Sequence, residues 1–80
     1  MGSTRDPNVG RDPIAVRIGA VLAEHRRAAR LSQAAAIVHT GVGSLAQIER
    51  GVQCPSLRLL VSLAESYGTT VAAMCEEAGL

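Results

Sequence analysis

The chain has no tryptophan, no phenylalanine, no lysine and one tyrosine, Tyr67. Without aromatic bulk, a core has to be assembled from Leu, Ile, Val and Ala, with alanine letting helices approach closely. No apolar run approaches the length of a membrane span, and none follows a basic secretory leader, so a cytoplasmic location is expected and no membrane partner. Only two cysteines are present, Cys54 and Cys75, and they form neither a CxxC pair nor a metal-ligand spacing. They read as free thiols of a reducing compartment. The two histidines, His25 and His39, fall on different expected helices with no second ligand at helical spacing, so no metal is expected. Nucleophile elbow, phosphate-binding glycine loop and clustered catalytic carboxylates are all missing, and Glu76 and Glu77 read as a solvated face. The expectation is a protein without a cofactor that is not an enzyme.

What is present fits one small domain. Eighty residues bury a modest fraction of their surface, so tight helix packing or a partner subunit is needed for robustness. The formal charge is only +1, but every basic residue is arginine, the side chain suited to bidentate phosphate or carboxylate contacts.

Residues 1–11, "MGSTRDPNVGR", lack periodicity and read as a disordered arm. Arg5 and Arg11 there are offset by Asp6 and Asp12, which leaves little field for a nucleic acid. From residue 12 to residue 80 the pattern is helical. Asp12 and Pro13 open a first helix with Ile14, Ile18, Val21, Leu22, His25 and Ala29 on one stripe, and Arg26 at its edge. Ser32 caps a short apolar second helix. The punctuated run "HTGVGS" leads into "LAQIER", a third helix with Leu45 and Ile48 inward, stopped by Gly51. Ser56 caps a fourth helix whose inward face is read as Leu57, Leu60, Val61, Ala64 and Tyr67, widened by Leu59 and Leu63. Gly68 stops it. Thr70 caps a fifth, carrying Val71, Met74, Cys75 and Ala78. Five short helices with brief connections predict an all-α fold.

The order and spacing of "LSQ", "IERG", "PSL" and "LAESYG" resemble the lambda-repressor-like family, the Cro or XRE-type helix-turn-helix proteins. The resemblance runs from about Ile14 to Met74 and implies a compact five-helix domain with the helix-turn-helix at helices 2 and 3. It also implies double-stranded DNA as partner, with a nucleoid association. In that geometry helix 3 enters the major groove while helix 2 braces it across the backbone. Ser32 and Ser56 would leave helix-terminal amides facing phosphate. Gln33 matches the family's glutamine, expected to bond a phosphate and to buttress helix 3. Arg50, Gly51 and, more weakly, Arg58 complete the expected backbone contacts. Arg26 and Glu49 match positions of an internal ion pair between helices 1 and 3.

Between Ser32 and Glu49 the chain is two residues shorter than the family pattern. One alignment takes Gly41-Val42 as the family's turn and places the loss at the start of helix 3. The other anchors on "IERG", places the loss at or before helix 2, and makes Ala35 and Val38 its core positions. The second is preferred because it fills both core positions with apolar residues, with Thr40 or Gly41 capping helix 3. It turns Val42, Gly43, Ser44 and Gln47 toward the bases. Gln47 suits a bidentate contact to adenine, Ser44 bonds either base type, and Val42 meets a thymine methyl.

Such a thin reading set makes a monomer poorly specific, so a homodimer on a two-fold operator, or a partner protein, is expected, with Val71, Met74, Ala78 and Leu80 either forming the dimer interface or covering the core. The favoured function is a sequence-specific transcriptional regulator, most simply a repressor. The alternative is a helix-turn-helix fold used mainly as a protein-protein interaction module, with weak or no DNA binding.

Overall fold

In the computed structural model, residues 12–80 are described, and the expected N-terminal arm with Arg5 and Arg11 lies outside them. These residues form five helices and no strand: α1 (Pro13–Ala28), α2 (Gln33–Thr40), α3 (Leu45–Glu49), α4 (Leu57–Ser66) and α5 (Val71–Glu77). Four of the five open on the side chains expected to cap them. Asp12, Ser32, Ser56 and Thr70 accept from the amides of Ile14, Ala35, Leu59 and Ala73 at 2.9–3.2 Å. Each satisfies a first-turn donor that has no intrahelical acceptor. α1 ends at Ala28. Arg30 takes a left-handed conformation, φ 61°, and the Leu31 amide bonds back to the Arg26 carbonyl at 3.2 Å.

α1 packs on α3 and α5, while α2 and α5 flank α4. Leu22, Leu45, Ile48, Leu63 and Met74 are the largest fully buried side chains, and Ile18, Val21, Ala36, Val42, Ala64 and Ala78 complete the cluster. The core is aliphatic, as the missing aromatics require. Two glycine contacts set the α1–α3 distance. Gly19, in mid-helix, lies directly against the Ile48 and Glu49 carbonyls, and a Cβ there would overlap the Ile48 oxygen. Gly51, at φ 76°, sits over Val16, whose Cα would be 2.8 Å from an added Cβ.

Several inward assignments are corrected. On α2 the buried residue is Ala36, with Ile37 packed beside it, whereas Ala35 is exposed and Val38 is 86% exposed. On α4, Leu63 and Ala64 are deepest and Leu57 is 68% exposed. Ile14 on α1 and Ala29 at its C-cap are exposed. On α5, Met74 and Ala78 are buried in the protein's own core, which removes them from any intermolecular interface.

Candidate nucleic-acid interface

The α2–turn–α3 unit is built on one left-handed residue and one buried valine. Gly41 ends α2 at φ 75°, and its amide bonds to the Ile37 carbonyl at 2.7 Å. Glycine adopts this conformation without the Cβ clash of other residues. Thr40 closes α2 rather than capping α3. Its hydroxyl donates to the Ala36 carbonyl at 2.8 Å and accepts from the Val42 amide at 3.2 Å. Val42 is thereby aimed into the core, where it is 3% exposed. The expected thymine contact by Val42 is therefore withdrawn, because reaching a base would empty its core position. This placement also decides between the two alignments. Gly41-Val42 is the turn, and the missing two residues come out of the start of α3, which is left with five residues.

Ser44 stands at the N-cap of α3 without bonding the helix. Its hydroxyl instead accepts from Gln53 Nε2 at 3.4 Å. Gly43 and Gln47 are exposed and Ser44 is half-buried. Gln53 was not foreseen, yet it is exposed and joined to Ser44, so it belongs to the same surface. The loop is short because the Gln47 carbonyl accepts from both the Val52 and Gln53 amides, at 3.0 and 3.3 Å. Its sequence signal is a long amide side chain two residues after "IERG".

Arg50 is exposed at the C-cap of α3, and Arg58 is exposed in the first turn of α4. Ser32 and Ser56 are exposed at their caps. Gly51 is corrected: it is buried, its amide is spent on the Ile48 carbonyl at 3.0 Å, and it serves the approach to Val16 rather than a phosphate.

Behind this surface lies the expected ion pair. Arg26 Nε donates to Glu49 Oε2 at 2.7 Å and Nη2 donates to Oε1 at 3.1 Å, a two-pronged contact. The side chains are 11% and 5% exposed. Arg26 Nη1 also donates to the Leu31 carbonyl at 2.7 Å, and Gln33 Nε2 donates to Glu49 Oε1 at 2.9 Å. One carboxylate thus ties α1, the first residue of α2 and the last residue of α3. The hydrogen bond to Glu49 holds the Arg26 pKa above its ordinary value, against the opposing effect of burial. Gln33 performs the buttressing half of its expected role.

Tyr67 borders this network. Its hydroxyl is buried without a hydrogen-bond partner among the described residues. Burial first, and the negative charge of Glu49 second, push its pKa above the usual value of 10. The folded state therefore holds the phenolic proton more tightly than the unfolded chain. This contribution is fully present below pH 10 and is lost as pH rises from there through the raised folded value. Because Tyr67 is the only tyrosine, tyrosinate absorbance reports it alone. The expected titration midpoint is higher in native than in denatured protein. Tyr67→Phe is expected to remove that alkaline loss and, by deleting an unpaired hydroxyl, to leave neutral-pH stability equal or higher by up to about 1 kcal/mol. Coincident native and denatured midpoints would refute this account.

The helix-turn-helix domain family matches the chain over residues 17–79. Among solved structures, the crystal structure of the clp gene regulator ClgR from Corynebacterium glutamicum is similar, with a TM-score of 0.78 at 28% identity. The match covers 82% of this chain and 72% of that one. No curated protein sequence matches the chain.

Proposed function

The chain belongs to the helix-turn-helix domain family, and we propose that it is a sequence-specific DNA-binding transcriptional regulator, a repressor that occupies a two-fold operator as a homodimer. The observation that carries this reading is the clamping of α3. Arg26, Glu49 and Gln33 fix its inner side, the two glycine contacts hold it against α1, and Gly43, Ser44 and Gln47 are left on its accessible side. A rigid short helix with polar groups outward is what groove reading needs. The likeness of the chain to the clp gene regulator ClgR supports the same reading. The role is binding rather than catalysis, in the cytoplasm on the nucleoid. No helix among the described residues is long and apolar enough to cross a membrane.

Gln47 is the principal base-reading side chain, with Ser44 beside it. The amides of Gln33 and Ala34 behind Ser32, those opening α4 behind Ser56, the Gln33 side chain and Arg50 take the phosphates. A second reading, a protein-interaction module, draws on the five-residue α3 and the +1 charge, which leave few groups for DNA.

Selection from random duplex pools separates them. A regulator enriches an inverted repeat and loses affinity steeply with salt. Gln47→Ala is expected to weaken the selected site by about 1–3 kcal/mol per subunit and to relax preference at one position of each half-site. Arg50→Ala is expected to weaken all sequences alike and to lower the salt slope by about 1 per subunit. Absence of an enriched motif, together with indifference to both substitutions, would favour the interaction module.

A further inference from the structure

A two-fold operator calls for a two-fold protein, and of the four C-terminal residues expected to provide the interface Met74 and Ala78 are buried in the core, which leaves a half-buried Val71 and an exposed Leu80 nine residues apart. The exposed face of α4 has the composition that an interface requires. At 100° per residue, Leu57, Val61, Glu65 and Arg58 fall within about 100° of arc, opposite the buried Leu63 and beside Ala64. Leu57 is 68% exposed and Val61 41% exposed, one turn apart, and Arg58 and Glu65 are exposed at the two ends of the same stripe. Neither Arg58 nor Glu65 has an ion-pair partner among the described residues.

We infer that this face of α4 is the homodimer interface, packed antiparallel on α4 of a second copy about a two-fold axis at Val61. The charge pattern selects that occupant because it is complementary to itself when reversed. An antiparallel pair centred on Val61 sets Val61 against its own copy and Leu57 across from the aliphatic stem of Glu65. Arg58 then faces residue 64 of the second copy, about 1.5 Å of helix rise from Glu65, within reach of its carboxylate. The axis makes the Val61–Val61 contact once and every other contact twice, so one valine pair is flanked by two contacts of Leu57 with the Glu65 stem and by two Arg58–Glu65 pairs. A parallel pairing about the same residue would instead place Arg58 against Arg58 and Glu65 against Glu65.

The inference rests on the homodimer of the proposed function and assigns Arg58 to the second copy rather than to phosphate. The phosphate role at that end of α4 falls to the amides behind Ser56. Contact between the α4 helices also joins the two recognition units through the short loop that runs from α3 to Ser56.

The test is sedimentation of the whole chain without DNA, so that it stands apart from base reading. Wild type is expected to be dimeric at micromolar concentration. Val61→Asp is expected to weaken the dimer at least about tenfold while circular dichroism stays native, because the position is exposed in the monomer. Arg58→Glu and Glu65→Arg each set like charges together twice and are expected to weaken it by about tenfold, whereas the double variant restores most of the loss. A dimer indifferent to Val61→Asp, or a double variant no better than either single one, would overturn the α4 interface while leaving the homodimer standing. A wild-type chain that stays monomeric would overturn both, and selection for an operator would still report on DNA binding.

Discussion

Gly19→Ala is expected to destabilise the protein by roughly 3 kcal/mol, a large share of what a domain of this size possesses. In isolation the substitution should help, since alanine is favoured over glycine in a helix interior by about 1 kcal/mol. The tertiary setting reverses the sign. The added methyl would overlap the Ile48 carbonyl oxygen and press on the Glu49 carbonyl, both backbone groups that no rotamer change can move aside. α1 and α3 must separate, and separation loosens the contacts of Ile18, Leu22, Leu45 and Ile48 together. It also draws Arg26 from Glu49, because the ion pair spans the same two helices. Denaturant unfolding should show a lower midpoint with little change in slope. An unchanged or higher midpoint would mean that the α1–α3 distance is not set by this glycine.

That prediction was open to the sequence in principle. A glycine inside a strongly periodic helical run costs stability unless something approaches closely, and Gly19 is such a residue. What approaches it lies 29 positions further along, and no local pattern supplies that. The legible features were those decided locally or by charge. Asp12, Ser32, Ser56 and Thr70 cap helices because a short oxygen side chain before an apolar-periodic segment has few other uses. Arg26 was legible as a polar residue at the edge of an apolar stripe, and its pairing with Glu49 was what the family resemblance implied.

α2 was not legible, for a physical reason. "QAAAIVHT" contains almost no contrast between polar and apolar positions, so periodicity cannot say which side faces inward. The left-handed Gly41 and the bonds of the Thr40 hydroxyl settle the matter by turning Val42 into the core. Once Val42 is inside, Ala36 follows and Val38 is left outside. The same slip moved Val42 from the core to the base-reading set. On α4 the error was a rotation: Leu57 and Val61 are apolar without being needed inside, because Leu63 and Ala64 already fill that side.

Glu49→Ala is expected to cost about 3 kcal/mol, the low end for a buried pair, since it leaves the part-buried Arg26 guanidinium without its counter-charge. The bond from Arg26 Nη1 to the Leu31 carbonyl survives, but Nε and Nη2 lose their acceptors, and so does Gln33 Nε2. Glu49→Gln keeps the shape and part of the hydrogen bonding and should lose less. Replacing both charges, as in Arg26→Leu with Glu49→Leu, should recover much of the stability, because no desolvated charge is then left unpaired. DNA affinity should not recover with it. The carboxylate aligns α3 by bonding α1 and α2 at once, and an apolar pair fills space without fixing an angle. Stability and selected-site affinity are therefore expected to separate in the double variant, with the fold restored and Gln47 presented less uniformly. A double variant as unstable as Glu49→Ala would deny that an unpaired Arg26 is the source of the loss. One that binds the operator like wild type would deny that this network positions the recognition helix.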